Sequence, residues 1–518
     1  MMSLDLFARL NARISKHIKI CLASGIIVGL LTHFYMLTHK LTNWDDINSL
    51  SSVGSGDYLG RWFLKYIHGL GSRHSIPAVH GFLLILMLTL SACVVLDILQ
   101  LRSTTAAVLV PAVMVTFPSV VGIMTFMFMA HTTGIAIFMA CLAVWLIRRN
   151  KWGVLPGMAL LICTLGTYQP TITVGITLML MSMMGDLIRG EDFKKVLKRG
   201  ILYVAVLGIG VLIYMKICHI VNPNLENETY GGVADMGNIP LSMMPRLVGR
   251  CYKRFLEYFL WKPFAFVTDT AQMVNIVTCI LAVILFVVII WNRKIYKKVG
   301  SFFLLVAVCG LIPMAAAFIY FMAPEAEYSM LMVYGYSFIY VTVLALLEYC
   351  MEDWEKDKKM YSGLLALAAV VTVSLNCYTD YLLANKAYLR TEIATERVKS
   401  YYNRIISMVQ GQEGYNAGDQ IVMLGEFYYK NNPSSVEIDL FDSEDLRSLS
   451  GVALENGLIT SGVRYRFVRT FLGEELADLS HEENQDIMDT PEYKEMPVYP
   501  QNGCVQQING LWVVKMCD

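Results

Sequence analysis

Long apolar runs, broken at short intervals by small clusters of charge, fill the first 383 positions of the chain. A bilayer core takes roughly 20 apolar residues in a helix to cross. On that measure the pattern predicts eleven spans, near residues 18–39, 76–99, 104–122, 127–147, 154–169, 171–188, 200–220, 272–292, 301–322, 328–349 and 361–383. The first run is longer than the apolar stretch of a cleavable signal and no A-x-A-like site follows it, so it is expected to remain as a span. Two stretches are less regular. Residues 104–147 are almost unbroken apolar sequence containing Pro111 and Pro118, and residues 154–188 are divided only by YQPT. Proline removes a helix donor and disfavours helix at the residue before it, so Pro118 and Pro170 are expected at the outer turns of two helical hairpins. A re-entrant pair at either place leaves the downstream topology unchanged, because hairpins alter the count in twos.

Between the spans the pattern becomes amphipathic. In residues 57–70, DYLGRWFLKYIHGL, Arg61, Lys65 and His68 recur at helical spacing, with Leu59, Trp62, Phe63, Tyr66 and Ile67 on the remaining surface. Residues 246–262 repeat the design: Arg246, Arg250, Lys253, Arg254 and Glu257 oppose Val248, Cys251, Phe255, Phe259 and Leu260. Both read as helices lying in the membrane interface. From residue 384 the character changes. A helical stretch near 385–410 precedes strand-like segments at QIVMLGEF, VRYRFV and VQQINGLWVVKM, the last folded at Asn509-Gly510 by a hairpin turn. The expected fold is therefore an all-α polytopic membrane unit, residues 1–383, followed by a small α/β unit, residues 384–518.

Composition agrees with the pattern. With 56% hydrophobic and 16% charged residues, the chain is far more apolar than a soluble domain, in which about a quarter of residues are charged. Its formal net charge is zero, which gives no bulk attraction for nucleic acid, so charge is informative only by location. Lys and Arg concentrate between Arg9 and Lys19, at Arg102, from Arg148 to Lys151, from Arg189 to Arg199, from Arg293 to Lys298 and from Lys356 to Lys359, and the other loops carry about half as many. The rule that cationic loops stay inside makes this side cytoplasmic. Loops 40–75 and 221–271 and the C-terminal unit are then extracytoplasmic.

That orientation gives meaning to NWDDINSL, which follows the first span and carries the acid pair Asp45 and Asp46. Charge at the mouth of a membrane protein points to function. A basic amphipathic helix alone is drawn to anionic headgroups. Carboxylates at the membrane surface together with cations on interfacial helices suit a lipid-linked phosphate whose reactive carbon lies just outside the bilayer, since guanidinium groups match phosphate oxygens in pairs.

The order of these features, from the first span through NWDD, GDYLGRW, GTYQ at 166–169 and the basic interfacial helix to ANKAYLR at 384, resembles the serotype-converting glucosyltransferase family. These are integral membrane transferases of the GT-C class, and the resemblance covers essentially the whole chain. It implies a sugar donor carried on a polyprenyl phosphate, glucose as the sugar, transfer outside the membrane, and a cell-surface glycan as acceptor. Moving a glycosyl group from phosphate to a hydroxyl needs one carboxylate to take the acceptor proton, while the phosphate leaves as an anion stabilised by cations. Asp45 or Asp46 is the base on this reading, and the choice between them stays open. Arg61 and Lys65, with Arg250 and Arg254, are the candidate phosphate contacts; snorkelling to headgroups is their simpler role. Tyr168 and Gln169 at a hairpin tip are candidate sugar or acceptor contacts, or serve the broken backbone at Pro170. His131 bonds a neighbouring helix or reaches the site. Glu325 and Glu327, in APEAEY, line the acceptor cleft or a solvated loop.

No cofactor is expected. A divalent ion at the acid pair stays open, although no metal-ligand spacing accompanies it. Of the twelve cysteines most fall in spans, and a bridge between Cys504 and Cys517 requires a bulge, since the Asn509-Gly510 turn sets Cys504 opposite Lys515. There is no Walker loop, dinucleotide fingerprint, zinc spacing or nucleophile elbow. The competing class is a transporter or flippase of lipid-linked sugars, which would show matching interruptions in two repeated halves. The chain has one clear interruption and no evident repeat.

Overall fold

The computed structural model describes residues 12–41, 44–50, 59–223, 240–262, 266–323, 329–354, 360–425, 449 and 461–517. Within them the apolar runs form α1 (Lys16–Thr38), α3 (Pro77–Leu99), α4 (Thr104–Thr116), α5 (Pro118–Thr125), α6 (Met127–Arg149), α7 (Val154–Leu165), α8 (Ile172–Ile188), α9 (Phe193–Val221), α11 (Asp269–Asn292), α12 (Val299–Ala316), α13 (Ser337–Trp354) and the first half of α14 (Met360–Gln410). Two shorter helices lie between them: α2 (Trp44–Asn48) and α10 (Met244–Leu256). Nine helices among the described residues are long and apolar enough to cross a membrane, and α4 with α5, bent by 43°, makes a tenth. The chain is an all-α, multi-pass membrane protein.

The expected span at 154–169 is the exception. Helix α7 has only 12 residues, well short of a bilayer crossing. It ends at Gly166, and the 3₁₀ turn Gln169–Thr171, with Pro170 inside it, leads directly into α8. Pro170 thus sits at a tip as expected. Pro118 does not: it opens α5 after a bend at Phe117, and the chain next breaks at Phe126, where ψ is 59°. The first position of a helix needs no donor, so proline is accommodated there without a turn.

Burial separates inner from outer helices. The apolar windows of Gln169–Ile188 and Tyr334–Asp353 are 89% and 94% buried, against 28% for α9 and 33% for α11, so α8 and α13 form the centre and α9 and α11 the periphery. One end of the bundle is a lattice of ion pairs. Asp186 takes both guanidinium nitrogens of Arg148 at 2.9 and 3.0 Å, Arg189 at 2.9 Å, and Arg199. Beside it Arg293 binds Glu352, Asp353 and the carbonyls that end α8 and α13. These are the cations whose loops the sequence pattern groups on one side.

Helix α14 is 51 residues long and runs unbroken past residue 384. Beyond it, β1 (Ile421–Leu424), β2 (Val505–Ile508) and β3 (Leu511–Lys515) form a sheet in the order β1-β3-β2, with β1 parallel and β2 antiparallel to β3. Ile421 and Met423 face the cluster made with Val398, Tyr401 and Ile405 of α14, while Val422 and Leu424 face Ile487 and Tyr493. Asn509 and Gly510, with φ of 53° and 81°, close the two-residue turn, which both can adopt at low cost. Lys515 donates its amide to the Cys504 carbonyl, and Cys504 and Cys517 are free thiols. VRYRFV is not a strand. It lies in α15 (Ser461–Leu472), where Val463, Arg464, Phe467 and Val468 are buried, a helical spacing that the apparent alternation of a short segment conceals.

Candidate functional site

The opposite end of the bundle from the arginine lattice holds the acid pair. Helix α1 ends at Thr38, and α2 carries Asp45 and Asp46 in its first turn. The two carboxylates have different surroundings. Asp46 is fully buried and receives three donors: Lys40 Nζ at 2.5 Å, Ser75 Oγ at 2.5 Å and the backbone amide of Phe128 at 2.9 Å. Phe128 is the second residue of α6, so Asp46 caps that helix from another element, where a negative charge meets the positive end of the helix dipole. Lys40 also reaches Ser75 at 2.7 Å, closing a three-membered network. Asp45 is half-buried.

Residues 59–76 do not form the amphipathic helix that their spacing suggests. Only Leu64–Ile67 is helical, continued by a 3₁₀ turn at His68–Leu70. The cause is docking onto other helices. Gly60 has a φ of +70°, and its carbonyl accepts from Tyr214 Oη at 3.1 Å, while Phe63 donates its amide to the Gly166 carbonyl at 2.7 Å. Gln169 Nε2 completes the clamp, donating to the Leu59 carbonyl at 2.6 Å and reaching Tyr214 Oη at 3.1 Å. A side chain at Gly166 would stand 2.6 Å from the Trp62 ring, so the loop lies directly on the hairpin tip.

This clamp brings Arg61 5.0 Å over the ring of Tyr168. Arg61 Nε and its neighbour Trp62 Nε1 are buried donors with no acceptor among the described residues. Tyr168 in turn packs with Phe128 and Met129. Asp46, Phe128, Tyr168 and Arg61 are therefore linked by consecutive contacts. Lys65 is exposed, with Nζ 5.5 Å from the Tyr66 ring.

Histidines fasten the same helix end. His68 Nε2 pairs with the Phe128 carbonyl at 3.2 Å, His80 Nδ1 with the Met127 carbonyl at 3.0 Å, and His131 Nε2 with the His68 carbonyl at 3.0 Å. The His80 and His131 rings are 4.3 Å apart. Burial holds His68 below its ordinary pKa, against the opposing effect of its bond to Phe128. No group of three or more ligating side chains among the described residues is arranged to hold a metal ion.

The second set of cations lies elsewhere. Helix α10 is amphipathic as expected, burying Leu247, Cys251 and Phe255 one turn apart. Arg250 and Arg254 stand 6.0 and 5.9 Å over the ring of Tyr320, and Arg254 donates to Glu257 at 2.9 Å. With Arg246 and Lys253 they line a cavity of about 450 Å³. Glu325 and Glu327 fall outside the described residues.

Of the candidates named from the sequence, Asp45, Asp46, Arg61 and Tyr168 lie together here, and the contacts of Lys40, Ser75, His80 and Tyr214 with this region were not anticipated. Lys40 closes the first span and Ser75 precedes the helix-starting Pro77, positions that look like ordinary boundary residues. Ser75 reaches Asp46 from 29 residues away, and Lys40, six residues before it, does so across the break between two helices, so periodicity carries no signal for either pairing.

The protein family described as glucosyl transferase GtrII matches the chain over residues 34–347. That stretch contains the acid pair, the Arg61 clamp, the histidines and α10. No curated protein and no solved structure matches the chain.

Proposed function

The chain belongs to the GtrII glucosyl transferase family and is a membrane glucosyltransferase, and from that premise we propose that it moves glucose from a polyprenyl-phosphate donor to a cell-surface glycan, with Asp45 as general base. The membrane unit, residues 1–383, carries the chemistry on the extracytoplasmic side, the N-terminus is cytoplasmic, and residues 384–518 form an outer α/β unit. The observation that carries the reading is Arg61: a guanidinium whose buried Nε has no acceptor among the described residues, pinned over Tyr168 and joined through Phe128 to the helix of the acid pair. An unsatisfied buried donor is costly, and phosphate oxygens answer it.

In the reaction the acceptor hydroxyl oxygen bonds to the anomeric carbon as the bond from that carbon to the phosphate oxygen breaks. The electron pair leaves with polyprenyl phosphate, whose charge Arg61 meets. The acceptor proton passes to Asp45 and then to water. Asp46 suits neither proton transfer nor attack on the sugar, because both its oxygens are occupied and it is inaccessible. A single base acting without a covalent sugar intermediate favours inversion at the anomeric carbon. Arg250 and Arg254, with Arg246 and Lys253, are a second anionic contact along the path of the lipid phosphate. Gln169, whose amide donors are taken by Leu59 and Tyr214, and His131, bonded to His68, position the Arg61 loop rather than contact sugar.

The test is transfer of hexose from a purified polyprenyl-phosphate donor to surface glycan by the parent and by Asp45→Asn. Loss of a general base lowers kcat by about 10²–10⁴-fold and leaves the donor KM near the parent value. An Asp45→Asn enzyme that transfers at the parent rate removes Asp45 from the mechanism.

A further inference from the structure

Helix α14 presents two unlike faces beyond the membrane. Val398, Tyr401, Tyr402, Ile405, Ile406 and Val409 are buried against the sheet and α15. The opposite face bears Glu396, Lys399, Ser400, Asn403, Arg404 and Ser407, which line a groove of about 500 Å³. None of these six is apolar, and together they supply a carboxylate, an amide, hydroxyls and two kinds of cation. That is the donor and acceptor mixture that saccharide hydroxyls require, since each hydroxyl both gives and takes a hydrogen bond. Phe471 borders the row, with Lys399 Nζ 5.7 Å over its ring, and stacks on Phe467 at 5.1 Å, giving a rigid apolar surface at the edge.

Position is the second observation. One turn below Glu396, Glu392 pairs with His39 at 3.8 Å, and His39 adjoins Lys40, which holds Asp46. From the other side Ile47 of α2 is buried in the same cluster as Val398 and Tyr401, and Arg466 Nη1 donates to the Asn48 carbonyl at 3.0 Å. The groove therefore begins one turn beyond the point where α14 meets the end of α1, from which the chain leads into the acid pair, and runs on for about 16 Å, the rise of eleven helical residues. It lies outside the residues 34–347 that match the family.

We propose that this face of α14 is the track that binds the acceptor as an extended saccharide, several sugar units long, leading from Asp45 outward. The proposal rests on the transfer reaction inferred above and adds the part of the chain that selects the acceptor. The partner class is a neutral or weakly charged polysaccharide, since the row contains both signs of charge.

The experiment uses the full chain in lipid nanodiscs and a ladder of oligosaccharides, of one, two and four repeat units, prepared from the producing cell's surface polysaccharide. Calorimetric titration without donor measures binding, and transfer from a polyprenyl-phosphate hexose measures turnover. In the parent, affinity rises with length. In the double variant Asn403→Ala with Arg404→Ala it falls about tenfold for the longest chain and little for the shortest, as expected for two lost hydrogen-bonding side chains. Donor KM, kcat at saturating acceptor and thermal unfolding stay at parent values. Ser400→Trp, which fills the groove from another residue, reproduces the loss. Parent-like binding of the longest chain by both variants overturns the proposal, as does a parent that binds no member of the ladder. Length-dependent binding lost in the variants, without hexose transfer by the parent, supports the track and removes the donor assignment instead.

Discussion

Asp45 and Asp46 are adjacent in sequence and opposite in circumstance. The buried Asp46 offsets the positive charge of Lys40, whose side chain is only 24% exposed, and caps the start of α6. Its neutral replacement leaves a cation facing no charge, which typically costs about 3–5 kcal/mol. Asp46→Asn is thus expected to lower the unfolding temperature in detergent markedly, whereas Asp45→Asn is expected to shift it less and to lower turnover about 10²–10⁴-fold. A fluorescence melt beside the transfer assay separates the two. The acid pair was plain in the sequence, but the burial of Asp46 was not, because that depends on Lys40, Ser75 and the Phe128 amide arriving from three different elements. His68 adds a pH dependence. Burial depresses its folded pKa, so the stability it contributes is fully present above the ordinary histidine value near 6.5 and is lost as pH falls toward and through the depressed value. Melting temperature measured from pH 8 to pH 5 should drop in the parent and drop less in His68→Gln.

At the scale of elements, the Arg61 loop shows how a correct spacing gives a wrong shape. Residues 57–70 carry helical periodicity, yet the chain spends its hydrogen bonds on Tyr214, Gln169 and Gly166 instead of on its own next turn. Gly60 is the reason this works. A side chain there would sit 2.7 Å from Tyr214 Oη at a φ of +70°, so Gly60→Ala combines a clash with a left-handed backbone that costs about 1–2 kcal/mol for other residues. The variant is expected to raise the donor KM several-fold and to lower the melting temperature modestly, and Tyr214→Phe to raise the donor KM more weakly. Helix α10, by contrast, follows its pattern, burying Leu247, Cys251 and Phe255 and leaving Arg246 and Lys253 exposed. The short α7 is a third case. Its composition is that of a span, and only Gly166 and the turn at Pro170 limit it to 12 residues.

For the whole molecule, the apolar runs located the membrane helices closely, since lipid enforces helix wherever backbone is exposed to it. What they did not reveal is the junction between the bundle and the C-terminal part. Ile47 is buried among residues from 398 to 516, and Arg466 holds Asn48, so α2 is gripped from both sides. Ending the chain after residue 460 is expected to abolish transfer even if the bundle assembles, which membrane insertion and turnover assays would distinguish; retained activity would show that the outer unit has no part in holding α2. The 51 residues of α14 make the junction stricter still. A helix without a break carries angle as well as height: each added residue turns everything beyond it by about 100° and lifts it about 1.5 Å. One residue inserted near 386 would swing the polar row away from the acids, whereas four would return it to within about 40° of its bearing. The C-terminal part of this protein is keyed to the bundle like the bit of a key to its shaft, and its bearing is fixed by rotational phase.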